Sequence, residues 1–166
     1  MDTPQLKVKY GQAGWEFLAS LQNLGLDPQA LFWAYDKVFN DFVLVLITDF
    51  FDDQGPYEIS KLLFRAYDVA ATPKLIDPFM VRLHSPHQAF SQAIKERLFW
   101  RSFRKLDKTT MQPIGPSTDI KSVNWQGMIV SKDWVYVVRP TQHKRSVESR
   151  IRRWSKFKTT VERLAA

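Results

Sequence analysis

The spacing of apolar residues changes several times along this chain, and each change marks an element. Residues 42–50 read Phe-Val-Leu-Val-Leu-Ile-Thr-Asp-Phe. This β-branched and aromatic run is too short to span a membrane and predicts a strand buried on both faces, in the middle of a mixed or parallel sheet. Ahead of it Leu31, Trp33 and Tyr35 alternate with Phe32, Ala34 and Asp36, and Asn40-Asp41 supplies a turn. Residues 30–50 are therefore expected to form a hairpin, its first strand half exposed and its second strand central. A helix over 12–24 comes first. Trp15, Leu18, Leu21 and Leu24 recur at helical spacing, and Gly25 ends the run, so this helix should pack by its Trp15 and Leu18 side. Lys7, Lys9 and Tyr10 fit a short edge strand or a tail equally well.

After the carboxylates Asp49, Asp52 and Asp53, Gly55-Pro56 opens a second helix. Its apolar stripe is Ile59, Leu62, Leu63, Ala66, Val69 and Ala70, opposite Glu58, Lys61, Arg65 and Asp68. Residues 79–83 read as a shorter strand, and strand, helix, strand makes parallel neighbours through a right-handed crossover. A helix from about His87 is carried by Phe90, Ala93, Ile94 and Leu98. Beyond it Phe99, Trp100 and Phe103 are interspersed with cations. Residues 105–124 resemble a long surface loop, which in a small domain is uncommon. Residues 125–130 and 134–138 predict a second hairpin turned at Ser131-Lys132-Asp133. The last element is a basic amphipathic helix over 143–164 with Val147, Ile151, Trp154, Phe157, Val161 and Leu164 on one broad face. The expected fold is a single α+β domain over residues 1–166. Its mixed β-sheet has about five strands, from two hairpins and one βαβ crossover, flanked by helices and ending in the long C-terminal amphipathic helix.

Composition narrows the chemistry. The 166 residues include no cysteine, which excludes thiol catalysis, cysteine zinc sites and disulfides, and fits a reducing compartment. No charged head followed by an apolar core opens the chain, and no run reaches membrane length, so the expected location is cytoplasmic with no membrane partner. The net charge of +7 is unevenly distributed, with four basic against nine acidic side chains over 27–77 and eighteen against six over 78–166. Such polarity bears on partners.

Two constellations follow. In the first, parallel strands would carry Asp49, Asp52 and Asp53 beside His84, Ser85 and His87. Clustered carboxylates at strand ends suit magnesium and phosphoryl chemistry, with a histidine as base. The competing structural role is turn formation and helix-dipole pairing by Asp52 and Asp53. The two histidines, three apart across a proline, do not have metalloprotease spacing, and no glycine-rich phosphate loop occurs. In the second, Arg97, Arg101, Arg104, Lys105 and Lys108 join Arg145, Arg152, Lys156 and Arg163 of the terminal helix in a basic surface with aromatic neighbours, as required for a nucleic-acid backbone.

The favoured expectation is a non-enzymatic binding protein, needing no cofactor, that takes nucleic acid or an acidic protein on this surface. The alternatives are a magnesium-dependent phosphoesterase or nuclease using Asp49, Asp52, Asp53 and His84, and a self-associating module whose acidic half meets the basic half of a second copy as a homo-oligomer.

Overall fold

In this computed structural model, which describes residues 4–102, 122–139 and 146–166, β1 (Ala30–Asp36) and β2 (Asp41–Ile47) pair antiparallel from Ala30 opposite Ile47 to Asp36 opposite Asp41. The expectation of a half-exposed first strand is corrected. Every residue of β1 except Tyr35 is buried, because both of its faces pack into the core; it also has neighbours along both edges. β2 lies on one side. On the other side run β5 (Met128–Ser131) and β6 (Val135–Val138), both antiparallel to β1 and end to end along it. β3 (Val81–His84) pairs parallel with β2 from Leu44 opposite Val81 to Ile47 opposite His84, as the crossover rule predicts. The strand order is β3-β2-β1-β5-β4, where β4 is Ser122–Trp125 and β6 also pairs with β1.

The second hairpin is displaced from its expected place. Its turn is Gln126-Gly127, with φ of 49° and 82°, a two-residue connection of the kind that matches strand twist and calls for glycine at its second position. Ser131-Lys132-Asp133 is therefore not a hairpin turn; a single 3-10 turn, Lys132–Trp134, joins β5 to β6. Within β6 the register against β1 slips at Tyr136. That bulge leaves Tyr136 and Val137 together on one side and sends Val138 with Val135 to the other, where strict alternation would have kept Tyr136 with Val138. The expected loop ends early, at β4, and its residues up to 121 lie outside the described residues.

Helices cover both faces of the sheet. Leu31, Trp33, Leu44 and Leu46 meet α1 (Val8–Leu24), α2 (Phe50–Asp68) and α4 (Val147–Leu164). Ala30, Phe32, Ala34, Val43, Val45 and Ile47 meet Ile94 and Leu98 of α3 (Ala89–Ser102). Lys7, Lys9 and Tyr10 form the cap and first turn of α1. The buried face of α1 is Ala13, Phe17, Leu18, Leu21 and Leu24, whereas Trp15 is 57% exposed, so the packing side is rotated from the one expected. α2 begins at Phe50, ahead of Gly55-Pro56. Gly55 (φ 80°, ψ 160°) breaks it into a first turn, which carries Asp52 and Asp53, and a main body restarted by Pro56. In α4 only Trp154, Phe157 and Val161 are buried; Val147, Ile151 and Leu164 are exposed.

α1 is fastened to the sheet by a polar link inside the apolar layer. The Trp33 Nε1–H, on a fully buried ring, donates to the Tyr136 hydroxyl at 2.9 Å, and that hydroxyl donates to the Gly11 carbonyl at 2.8 Å. Burial pushes the Tyr136 pKa up to about 12, against the effect of the Trp33 hydrogen bond, so it keeps the proton it donates. The approach is close enough that a Cβ on Gly14 would lie 2.0 Å from the Tyr136 oxygen. Glycine to alanine within a helix ordinarily gains up to about 1 kcal/mol. Here the sign should reverse: Gly14→Ala should destabilise the protein by about 2–4 kcal/mol in urea unfolding, by displacing Tyr136 and orphaning the Trp33 N–H. A neutral or stabilising result would refute this packing.

Candidate functional site

At the carboxyl ends of β2 and β3 the expected convergence occurs in part. The Thr48 N–H donates to the His84 carbonyl at 3.2 Å, which brings the start of α2 against the segment after β3. Asp52 Oδ2 accepts from the Ser85 hydroxyl at 2.9 Å and lies 2.8 Å from His87 Nδ1. Ser85 Oγ in turn accepts from the His87 N–H at 3.0 Å. The serine is bonded to the carboxylate rather than to the imidazole, so the three do not form a nucleophile–base relay. The Asp52–His87 pair is exposed, where such contacts contribute little to stability.

The other two carboxylates are taken by α4. Asp49 Oδ2 accepts from Arg153 Nη2 at 2.7 Å, and Asp53 Oδ2 accepts from Arg150 Nε at 2.7 Å. The hydrogen bond to Asp53 raises the Arg150 pKa further above its ordinary value. The Arg153 guanidinium also lies over the Phe50 ring, 5.2 Å from its centroid. This pair is shielded, and Asp49 Oδ1 with Arg153 Nε and Nη1 have no hydrogen-bond partner among the described residues. Among the described residues no group of three or more His, Asp or Glu side chains is placed to hold a metal ion.

His84 does not join this cluster. Val81 and Leu83 of β3 pack on the α1, α2 and α4 side, so the two-residue period turns Arg82 and His84 to the α3 side. There the His84 ring lies 4.6 Å from that of Phe90 and its Nδ1 lies 3.0 Å from Gln88 Oε1. Burial lowers its pKa from 6.5; the Gln88 bond opposes this and Arg82 adds to it.

The basic residues also divide between faces. Arg97 lies on α3, hydrogen-bonded to the Ala93 carbonyl and stacked 4.1 Å from the Trp125 ring. Lys95, beside it, is buried, which lowers its pKa. α4 lies across the sheet from α3, so the single surface expected from Arg97 and the terminal helix is two surfaces. Arg101 belongs to α3, and Arg104, Lys105, Lys108 and Arg145 lie outside the described residues. Arg152, Lys156 and Arg163 stand exposed on the outer side of α4 and make no ion pair among the described residues. Trp154 and Phe157, the large rings of α4, face inward. This division could have been read from the helical period, since Arg150 and Arg153 flank Trp154 whereas Arg152, Lys156 and Arg163 lie about 160–180° from it.

Comparison with protein-family models, curated proteins and solved structures finds no match.

Two outcomes follow from the geometry. Asp49→Asn should lower stability by about 3 kcal/mol in metal-free buffer, because it leaves the shielded Arg153 uncompensated; a loss under about 0.5 kcal/mol in urea unfolding would contradict a structural role for the pair. For His84 the unfolded chain takes up a proton that the folded chain resists. The stability of the neutral ring is therefore complete above the ordinary pKa of 6.5 and is lost as pH falls from there towards the lowered folded pKa. The stability advantage of the wild type over His84→Gln should shrink between about pH 7.5 and pH 5.5. A pH-independent difference would show that folding leaves this imidazole unperturbed.

Proposed function

We propose that this is a non-enzymatic binding protein of the cytoplasm, and that the outer face of α4 docks on a nucleic-acid phosphate backbone. The observation that carries the reading is the exposed row Arg152, Lys156 and Arg163, free of ion pairs among the described residues. At 1.5 Å per residue this row extends about 16 Å along the helix, a length that meets several successive phosphates. The inner cations Arg150 and Arg153 have a different task, holding α4 to Asp53 and Asp49. With Trp154 and Phe157 turned inward, this face has cations and no large stacking ring. It suits the backbone of a duplex, read without regard to sequence, better than the bases of a single strand.

Three phosphate contacts correspond to a salt slope of nearly three, so affinity for a mixed-sequence duplex should fall about 40-fold between 50 and 200 mM salt. Arg152→Glu with Lys156→Glu should abolish binding and leave the fold intact, since both side chains are exposed. The check is fluorescence anisotropy at both salt concentrations, with polyglutamate as a second titrant. Salt-independent affinity, or binding of polyglutamate in preference to the duplex, would overturn the nucleic-acid reading; the second result would point to an acidic protein partner.

A further inference from the structure

On the α3 side of the sheet, across from α4, a pocket of about 270 Å³ opens between the β1–β2 turn, edge strand β3, the start of α3 and the β4–β5 turn. Its polar wall is Arg82 and His84, two residues apart on one face of β3 and hence separated by about 6.6 Å of strand. Its apolar walls include Phe39, Phe90 and Met128.

Asp36 sets the geometry of this wall. It is only 6% exposed, and its Oδ1 accepts from the Val38 and Phe39 N–H groups at 2.8 and 3.4 Å, which shapes the hairpin turn. Its Oδ2 accepts from Arg82 Nη2 at 3.3 Å, and the guanidinium lies 5.1 Å from the centroid of the Phe39 ring. One N–H of Arg82 is used in this way, and a guanidinium has five, so donors remain for a ligand. The Phe39 ring is 68% exposed at the turn tip, so its outer face is open to a ligand.

His84 contributes the opposite character. The Ser85 N–H needs an acceptor, which fixes the Gln88 carboxamide with Oε1 towards it at 3.2 Å. The same oxygen faces His84 Nδ1, and since a carbonyl oxygen accepts only, Nδ1 carries the proton. Burial keeps the ring neutral at physiological pH. Nε2 is thereby left with its lone pair as an acceptor.

The wall thus offers a cationic donor and a neutral acceptor on the same face of one strand, between apolar surfaces. We propose that this pocket binds a small aromatic carboxylate carrying a hydroxyl across the ring, with its carboxylate on Arg82 and its hydroxyl donating to His84 Nε2. Asp36 neutralises much of the Arg82 charge, so a monoanion is favoured over a phosphate dianion. The site is independent of the α4 surface.

The test is calorimetric titration of the full chain with 4-hydroxybenzoate, and with benzoate and 4-hydroxybenzyl alcohol, which each lack one of the two groups. The hydroxybenzoate should bind with a Kd of about 1 mM or below, and either partial probe about tenfold more weakly. Arg82→Gln should erase the preference for hydroxybenzoate over the alcohol and His84→Leu the preference over benzoate. Phe39→Ala, at an exposed position that does not hold the fold, should weaken all three. The absence of saturation at about 10 mM would overturn the proposal, as would preferences unchanged in both polar variants or tighter binding of phenyl phosphate.

Discussion

Both faces of the β1–β2 pair are apolar, and the remaining architecture answers that constraint. Leu31, Trp33, Leu44 and Leu46 on one side, and Phe32, Val43, Val45 and Ile47 on the other, are all buried. A pair of strands with no wet face must be covered twice. α1, α2 and α4 make one layer and α3 the other, while β5 and β6 close the second edge of β1. One polar chain, from Trp33 through Tyr136 to Gly11, crosses the first layer, and it is satisfied within the layer at each step.

The same layering distributes the charges. Part of the acidic half meets the basic half within a single chain, through Asp49 with Arg153, Asp53 with Arg150, Asp27 with Arg139 and Asp36 with Arg82. These contacts lie at strand ends and helix starts, where backbone groups already favour carboxylates. The net positive charge is therefore carried by what these contacts leave over, which on α4 includes Arg152, Lys156 and Arg163 of its outer face. The acidic cluster at the end of β2 serves as an anchor for the terminal helix. A carboxylate bonded to an arginine this closely is poorly placed to ligate a cation as well.

Much of the element order was legible because period and punctuation are local properties. The β2 run, the βαβ crossover, the α2 stripe from Ile59 to Ala66 and the amphipathic terminal helix each follow from residues close together in sequence, whereas Val69 and Ala70, expected to extend that stripe, lie exposed beyond the end of α2. The misreadings arose where a contact distant in sequence selects between faces. Trp15 and Phe17 lie on different sides of α1, and Tyr136, more than a hundred residues away, meets Trp15 edge-on at the rim while Phe17 goes to the core. The bulge at Tyr136 changes the parity of β6, which no alternation pattern foretells. Of the candidate site, the meeting of Asp52 with Ser85 and His87 was legible from the parallel pairing of β2 with β3. The departure of His84 follows from the pleat once Leu83 faces the α1, α2 and α4 layer.

By itself the sequence determined the four helices in outline and the β1–β2 hairpin, that β2 is buried on both faces, that β3 returns parallel to it, and that positive charge gathers late in the chain. Those are consequences of side-chain volume, period and backbone restriction within a few residues. The helical period already sets Arg152, Lys156 and Arg163 opposite Trp154; only the tertiary structure decided what the other cations meet. Arg150 and Arg153 find carboxylates about a hundred residues away, and Arg97 finds the Trp125 ring, whereas Arg152, Lys156 and Arg163 find no ion-pair partner among the described residues. Whether a charge is spent inside the fold or offered to a partner depends on distances of a few ångströms between segments far apart in sequence, and no local pattern encodes them.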